Sequence, residues 1–490
     1  MSVQLVILIA YVIVLLGVSW WSTVLIKRGT ANKALNYLLA GRNLPASLVT
    51  VMLVGLAVGG ASTVGVAEMA YTRGFSAGWY NAAWGAGGIF VGLFVARHLR
   101  RMSVKTIPQL MGIMFGPWTR FVSVICQLLV MISITALQYV AGGAILTALL
   151  PDIFTFNQGM LASAAVFIVI TLFGGYWASG LTNLINVAAI YLGIIIALCA
   201  SLSQFGGVGT LLARLPESNP GFSLVEGLGL ATVVGYMAVM ITMATTTQAV
   251  SQICFASKDE RRARNGFLIG GFLILPAGFL CAVFGLLAAA NFPGLEKASM
   301  ALPKLVTSLS PAVGGIFLAS LWAADISTAV GLLMGCSTLV LEDVVKKFYK
   351  KPLEDASEVF VSRVVVLVVS LLSFALALTV VGILRTITTA LAVTTSFTFI
   401  LLAGIYWPRL VRRAAGFWIV LASLVLWVLW TYVPSVRVVP ELIYFEWAVC
   451  GGLMILFAIF AKEPAGGVFS GPPDGPRTAS PAESPGAAGS

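Results

Sequence analysis

The sequence predicts an all-α polytopic membrane protein, and two properties of the whole chain lead to that prediction. Of its 490 residues, 59% are hydrophobic and only 10% are charged, and the mean hydropathy is +1.00. Soluble domains carry about 25% charged residues. In addition, the apolar residues form runs long enough to cross a bilayer, since a spanning helix needs about 20 of them.

The apolar runs predict about thirteen transmembrane helices. Two runs, 118–150 and 309–341, are longer than a bilayer requires, so we expect these helices to tilt, to extend beyond the membrane or to break. The predicted helices cover residues 3–26, 46–72, 76–97, 118–150, 158–175, 179–203, 227–252, 265–291, 309–341, 361–380, 385–405, 415–433 and 444–461.

The basic residues predict the orientation of the chain. With the N-terminus outside, 23 of the 29 Lys and Arg residues lie on the inner side and 6 on the outer side. Loops on the cytoplasmic side carry this excess of positive charge. We therefore expect an outer N-terminus and a cytoplasmic C-terminus in the plasma (inner) membrane. Residues 1–462 form the predicted transmembrane domain, and residues 463–490 a disordered cytoplasmic tail.

The stretch from Gly55 to Tyr71 is unusual for a spanning helix. It carries four glycines, Ser62, Thr63 and the acidic Glu68. Glycine destabilises a helix, and a carboxylate at membrane depth is costly. Backbone can unwind in a bilayer only where it is buried in protein or lines a cavity. This stretch has two possible interpretations: close packing of small residues, or a broken helix that binds a cation.

A second polar cluster lies in the ninth predicted helix, at Ala324–Thr328. Ala324, Ser327 and Thr328 share one helix face by their spacing. They would present one backbone carbonyl and two hydroxyls, and hard cations prefer such oxygen ligands. The alternative is that both hydroxyls bond back to their own helix. Glu68 and Asp325 are the two carboxylates that we place within the membrane.

Several separated stretches, taken in their order and spacing, resemble the sodium:solute symporter family over nearly the whole chain before the tail. The resemblance implies a leucine-transporter-type fold with two inverted five-helix repeats, helices 2–6 and 7–11, flanked by helices 1, 12 and 13. The stretches are YLLAGRNLP (37–45), GGASTVGVAEMAYTRGFSAGW (59–79), GGYWASGLTNLIN (174–186), QICFASKDERRARNG (252–266), ADIST (324–328) and GIYWPR (404–409).

The family resemblance also implies that the first helix of each repeat is broken near the bilayer midplane. Helix two contains the glycine-rich stretch, and Gly227, Gly229 and Gly235 are compatible with a break in helix seven. The implied sodium site lies between helices two and nine. Its ligands, carried over by similarity, are the backbone carbonyls of Ala61, Val64 and Ala324 and the hydroxyls of Ser327 and Thr328.

The substrate site is also carried over by similarity, and the solute itself is not readable from the sequence. Glu68 occupies a position where relatives contact a polar substrate. Asn183 stands where many relatives have Asp, which argues for one sodium ion per cycle. Asp325 is an additional carboxylate beside the sodium site that could take part in cation or proton coupling. The predicted substrate-binding residues are Glu68, Trp79, Asn81, Thr242, Gln248 and Thr395.

These features predict sodium-coupled symport of a small polar organic solute by alternating access, with sodium as the co-transported ion. The alternative is a proton-coupled symporter of the same fold that uses Glu68, Asp325 or both. An enzyme is not expected, because the only histidine, His98, lies at a helix end and no catalytic motif is present. The expected partners are the solute and the lipid bilayer, with no nucleic acid and no obligate protein partner.

Overall fold

The computed structural model describes residues 3–28, 33–349, 353–379 and 383–467. These residues form helices and no β-strand, and a helix satisfies its own backbone groups as the bilayer demands. The helices of the first half are α1 (Val3–Arg28), α2 (Lys33–Leu39), α3 (Ala46–Ala57), α4 (Gly60–Arg73), α5 (Trp79–Phe90), α6 (Ala96–Arg101), α7 (Ile107–Phe115), α8 (Pro117–Leu149), α9 (Phe156–Gln204) and α10 (Gly207–Arg214).

The second half of the chain continues the same pattern of long apolar helices and short connections. A π-helical segment, Val340–Val345, continues the helix Pro311–Leu339 beyond its last residue. The helices are α11 (Leu230–Thr246), α12 (Gln248–Ala256), α13 (Glu260–Asn291), α14 (Ala301–Thr307), α15 (Pro311–Leu339), α16 (Lys346–Phe348), α17 (Asp355–Ala377), α18 (Ile383–Ala392), α19 (Thr395–Tyr406), α20 (Arg413–Tyr432) and α21 (Leu442–Phe460).

The number of membrane spans depends on how residues 46–101 are divided. Among the described residues, ten helices are long and apolar enough to span, or twelve if each of two bent pairs counts as one span. One of the ten, Gly60–Arg101, has 42 residues and would be about 63 Å long if straight, twice the hydrocarbon thickness. The length criterion therefore does not confirm thirteen spans, and that number stays a prediction.

The chain reverses inside Gly60–Arg101. A tight 3-10 segment at Gly74–Gly78 begins with Gly74 at a φ of +69°. Beyond it, the Asn81 side chain donates a hydrogen bond to the Ala57 carbonyl at 3.0 Å, so α5 runs back beside α3. A second positive-φ glycine, Gly175 at +55°, kinks α9 between the two runs predicted at 158–175 and 179–203.

Both of the expected helix breaks are present, but the second is not at the predicted glycines. The first break separates α3 from α4 at Val58–Gly59. The second separates α11 from α12, which meet at Thr247 with a bend of 46°. Gly229 instead precedes α11 and Gly235 lies inside it. The interpretation of these glycines was therefore wrong. The bend lies instead at Thr247, where a side chain described below bonds to the backbone.

Helix α15 is the central element of the bundle. From Phe317 to Val330 every one of its residues is buried, the polar ones included. It packs against α9, α8 and α1, and against both halves of the first broken helix. The polar cluster at Ala324–Thr328 therefore lies in the middle of the protein.

Ion pairs connect the helices at one end of the bundle. We call it the basic end, after Arg101, Lys105, Arg120 and Lys346. The Gln248 side chain joins this end to α12, because its oxygen accepts the Ile107 N–H at 2.9 Å and its nitrogen donates to the Lys105 carbonyl at 3.2 Å. The ion pairs are Lys105–Glu342 at 2.8 Å, Lys346–Glu342 at 2.9 Å, Lys346–Glu358 at 2.7 Å, Arg120–Asp343 at 2.7 Å and Arg101–Glu260 at 2.9 Å.

The first five residues of the predicted tail, 463–467, pair with the ends of other helices. Arg413 donates its backbone N–H to the Glu463 carbonyl at 3.0 Å, and Gly466 donates to the Met114 carbonyl at 2.8 Å. The remainder of the predicted tail, 468–490, lies outside the described residues.

Candidate functional site

At the first helix break, side chains bond to backbone carbonyls; the Gly59 carbonyl also accepts the Thr63 N–H of α4 at 3.0 Å. The Ser62 hydroxyl donates to the Ala57 carbonyl at 2.8 Å and the Gly59 carbonyl at 3.0 Å. Asn81 donates to the same Ala57 carbonyl. A buried carbonyl without a partner is costly, so these polar residues explain how α3 can end inside the protein.

Helix α15 approaches this break with its Thr328 hydroxyl. Thr328 Oγ1 donates to the Gly55 carbonyl at 2.6 Å, and it also lies 3.1 Å from the Ala324 carbonyl of its own helix. A Cβ on Gly59 would lie only 2.5 Å from this hydroxyl oxygen. The glycine thus permits the close approach, and the structure brings the two predicted polar clusters together.

The other predicted sodium ligands lie around the same contact. Ser327 Oγ donates to the Ala324 carbonyl at 2.7 Å, so this hydroxyl is bonded within its own helix. Ala61 and Val64 lie in the first turns of α4, because α4 begins at Gly60. Their carbonyls are therefore inside a helix, although a carbonyl oxygen that accepts one hydrogen bond keeps a second lone pair. The break itself lies a few residues earlier than these two carbonyls.

Asp325 caps the N-terminus of α4 from the neighbouring helix. Its side chain is fully buried, and its Oδ1 accepts the Ala61 N–H at 3.2 Å. A Cβ on Gly60 would lie 2.8 Å from Oδ1, and a Cβ on Gly142 of α8 would lie 3.2 Å from Oδ2. The first residues of a helix have no amide acceptors of their own and carry a partial positive charge, so a carboxylate is stabilised there.

The second helix break is held by a neutral side chain, Gln127 of α8. Its amide nitrogen donates to the Thr246 carbonyl at 2.9 Å, and its amide oxygen accepts the Gln248 N–H at 2.9 Å. One amide thus bonds to two of the backbone groups that the bend at Thr247 frees, and the Ser251 hydroxyl donates to a third, the Thr245 carbonyl, at 3.4 Å. Gln127 is fully buried, and the sequence analysis did not single it out.

A central cavity lies between the two breaks. The cavity is narrow in this conformation: its volume is roughly 30 Å³, room for about two water molecules, so binding of a solute would require it to widen. None of the residues that line it carries a charge. They are Leu56, Ala57, Gly59, Ser62, Tyr80, Trp84, Ile134, Gln138, Met243, Thr247, Ala249, Val250, Leu332, Ile387 and Leu391.

Two polar groups on the wall of this cavity have no hydrogen-bond partner among the described residues. They are the Gln138 amide oxygen and the Thr247 hydroxyl, on side chains that are only 3% and 2% exposed. Buried polar groups are almost always hydrogen-bonded, so these atoms are candidates for contact with a bound solute. Gln138 was missed in the sequence analysis, since one Gln in an apolar helix gives no pattern.

Four of the six predicted substrate-binding residues make structural contacts outside the central cavity. The Trp79 indole donates to the Leu224 carbonyl at 2.9 Å, and Gln248 holds the loop at the basic end. The Thr242 hydroxyl bonds to the Ala238 carbonyl of its own helix. Asn81 supports the first break without lining the cavity. These four residues do not line the central cavity in this structure, and their role in substrate binding stays a prediction.

The remaining two predicted residues, Thr395 and Glu68, also lie away from the cavity wall. Thr395 is fully buried, and its hydroxyl has no partner among the described residues. Glu68 is half-buried on α4 and lines a separate cavity of roughly 520 Å³, together with Phe156, Glu296 and Lys297. Glu68 therefore does not line the central cavity.

A third membrane carboxylate, Glu446 of α21, was missed in the sequence analysis. It lies within the predicted helix at 444–461 and is fully buried. The Cys450 thiol, one turn further along, donates to it at 3.6 Å. The statement that only Glu68 and Asp325 lie within the membrane was therefore wrong. The position of Glu446 in an apolar run was the available signal.

Two broken helices on either side of a central cavity are typical of secondary transporters. The chain belongs to the sodium:solute symporter family, whose model matches residues 37–422. It is therefore a membrane-embedded transporter of small molecules and not an enzyme, and sodium is its co-transported ion. The prediction of the family, of the transport class and of the ion is confirmed.

Two curated relatives illustrate the similarity across the chain. A sodium/glucose cotransporter of Vibrio parahaemolyticus is 23% identical over 402 residues, which cover 75% of this chain and 73% of the relative. A sodium/proline symporter of Escherichia coli (strain K12) is 23% identical over 455 residues, with 88% of each chain covered. The two relatives are named for different solutes, so the similarity does not identify the solute of this chain.

A solved structure confirms the fold. A sodium-coupled sialic acid symporter in a substrate-bound outward-open state matches with a TM-score of 0.77 at 16% identity, covering 95% of this chain and 99% of the other. At this identity the match is evidence for the fold alone. The predicted leucine-transporter-type fold is confirmed.

Proposed function

We propose that the chain binds sodium where α15 meets the first helix break, and its solute in the central cavity between the two breaks. The observation that carries this proposal is the contact of Thr328 with Gly55, which joins the hydroxyl-bearing face of α15 to the end of α3. The proposed sodium ligands are the carbonyls of Ala61, Val64 and Ala324 and the hydroxyls of Ser327 and Thr328.

The hydrogen bonds of the two hydroxyls are compatible with this role. Both donate to nearby carbonyls, and a hydroxyl that donates in this way keeps its oxygen lone pairs for a cation. Sodium would bring the carbonyls of α4 and the oxygens of α15 to one centre. Its binding energy would then favour the arrangement in which the cavity between the breaks is complete.

The sodium site can be tested without knowledge of the solute. Sodium that binds only the folded protein stabilises it by about 2.7 kcal/mol at a hundred times its Kd. We expect NaCl to raise the melting temperature of the purified protein relative to choline chloride at equal ionic strength. Thr328→Val and Ser327→Ala should remove this difference.

Ser320→Ala is a matched control for Ser327→Ala. Both serines are buried in α15, and both donate to the carbonyl three residues earlier at 2.7 Å. The Ser320 variant should keep the sodium effect. If both serine variants keep it, the proposed ligand set is incorrect. If sodium has no effect but a pH change does, the proton-coupled alternative through Asp325 or Glu68 is favoured.

We also propose that the basic end faces the cytoplasm in the plasma (inner) membrane, with the N-terminus outside. The charge distribution of the loops supports this orientation. In a background that carries Cys199→Ser, which removes the exposed cysteine, a membrane-impermeant maleimide added to intact cells should label Lys297→Cys and not Arg261→Cys. The reverse labelling would contradict the orientation.

A further inference from the structure

The polar ends of both broken helices are already occupied by the protein. In transporters with broken helices, the N-terminus of a half-helix can bind an anionic group of the substrate. Here the α4 N-terminus is capped by Asp325, whose oxygen accepts the Ala61 N–H. The first amide of α12, at Gln248, is taken by Gln127.

The space around Asp325 leaves no room for a competing anion. A Cβ on Gly60 or on Gly142 would already lie within 3.2 Å of the Asp325 carboxyl group. The carboxyl therefore fills the position between α4, α8 and α15. An anionic solute group near this position would also be adjacent to an acidic side chain, so it would gain no favourable charge there.

The cavity wall presents neutral groups with free hydrogen-bonding capacity. Gln138 lies one helical turn before Gly142 on α8, and its amide can both donate and accept. The Thr247 hydroxyl adds a second donor and acceptor, and neither Gln138 Oε1 nor Thr247 Oγ1 has a partner among the described residues. Aromatic rings of Tyr80 and Trp84 form part of the remaining wall.

We propose that the solute of this transporter is uncharged, with a hydrogen-bonding head of the amide or hydroxyl type and an apolar body, and that it carries no carboxylate. The head bonds to Gln138 and Thr247, and the body packs on Tyr80 and Trp84. This inference rests on the proposed location of the solute in the central cavity. It separates the chain from relatives whose named solute, such as proline, bears a carboxylate.

A matched set of probes tests the class of solute. The purified protein is screened by thermal shift in NaCl against scaffolds offered as carboxamide, carboxylate and primary amine, such as isobutyramide, isobutyrate and isobutylamine, or nicotinamide, nicotinate and 3-picolylamine. We expect stabilisation to be confined to carboxamides and the corresponding alcohols. Equal or greater stabilisation by a carboxylate or an amine, or none by any uncharged probe, would overturn the inference.

Variants of the cavity connect the probe to the proposed residues. Gln138→Leu should weaken binding of a stabilising carboxamide by up to about tenfold, because it removes a hydrogen bond between neutral groups. Thr247→Val should have a smaller effect in the same direction. If both variants bind the probe as the unchanged protein does, the solute lies elsewhere. A folded variant is recognised by its retained sodium-dependent melting temperature.

The outcome is separable from that of the sodium proposal. The shift caused by NaCl without any probe reports the sodium site alone. A carboxamide that stabilises equally in NaCl and choline chloride would support the solute class while contradicting coupling. A sodium effect together with selective binding of a carboxylate would support the sodium site and contradict the proposed class of solute.

Discussion

The two helix breaks solve the same backbone problem with different chemistry. At the second break, Gln127 satisfies one carbonyl and one amide of the bend at Thr247 with a single neutral side chain. At the first break, two side chains make these hydrogen bonds. The Thr328 hydroxyl donates to the Gly55 carbonyl, and the Asp325 carboxyl accepts the Ala61 N–H. Both sets of contacts are fully buried.

The difference indicates which break is suited to a cation. At the second break, Gln127 occupies the Thr246 carbonyl and the Gln248 N–H, so an ion that bound to this carbonyl would have to displace Gln127. The first break has an acidic group and hydroxyls that can turn their lone pairs toward an ion. A structural role for the second break and a binding role for the first therefore predict different responses to substitution.

The largest effect should follow from Gln127→Leu. This change leaves the Thr246 carbonyl and the Gln248 N–H without partners, and each buried unsatisfied group costs about 1–3 kcal/mol. We expect a loss of about 2–5 kcal/mol in unfolding measurements in detergent. Gln204→Leu, at an exposed end of α9, removes one exposed hydrogen bond, to the Ser308 carbonyl at 3.0 Å, and should cost no more than about 1 kcal/mol. Similar effects for both variants would show that Gln127 does not hold the second break.

A smaller loss is expected from Gly60→Ala at the first break. The added methyl would lie 2.8 Å from the Asp325 carboxyl group, and such overpacking costs about 1–3 kcal/mol. Gly17→Ala in α1 is the control, because nothing lies within 4 Å of its added methyl. That variant should be neutral or more stable by up to about 1 kcal/mol. Equal melting temperatures for the two variants would contradict the close contact.

Asp325→Asn should change sodium binding more than folding. Asparagine keeps an oxygen for the Ala61 N–H but removes the acidic group. Asp325 neighbours the proposed ligands Ala61 and Ala324, and at an effective dielectric constant near 20 a unit charge contributes about 2 kcal/mol even at a separation of about 8 Å. The sodium concentration for half-maximal stabilisation should therefore rise about tenfold or more. Asp152→Asn, on an exposed turn, should leave it unchanged, and an unchanged value for both would separate Asp325 from the sodium site.

The smallest effect concerns an exposed carboxylate that caps a helix in the same way. Asp259 accepts the Arg262 N–H at the start of α13 at 2.8 Å, and this hydrogen bond holds the pKa of Asp259 below its usual value. Asp259→Ala should cost about 1 kcal/mol at neutral pH. Because the folded-state pKa is depressed, the cost should disappear as the pH falls below about 4. A cost that persists at low pH would exclude the charged cap as its cause.

Much of the fold could be predicted from hydropathy because the bilayer requires long apolar helices. The predicted helix at 118–150 corresponds to α8 (Pro117–Leu149), and the runs at 158–175 and 179–203 to the halves of α9. Broken regions were harder. Residues 46–101 contain short helices, and their division depends on the reversal at Gly74–Gly78, which hydropathy does not show.

The site could be predicted where glycine, hydroxyl and acidic residues are concentrated in sequence. This is why the first break and the Ala324–Thr328 face were identified. The second break could not be found in this way, because its support comes from Gln127, far away in the chain. Gln138 was missed for the same reason, since the cavity that gives it meaning is formed by seven or more helices that meet only in the folded protein.

The adjacency of Thr247 and Gln248 has a mechanical consequence. Thr247 lines the cavity, and the next residue holds the loop of Lys105 and Ile107 at the basic end. Lys105 is also paired with Glu342. A shift of α12 that accompanies loss of a solute from Thr247 would therefore strain the ion-paired loop directly. Loss of the solute from the cavity and loosening of the basic end would then both depend on the movement of α12. The rate of solute exit would increase with ionic strength, because salt weakens partly exposed ion pairs.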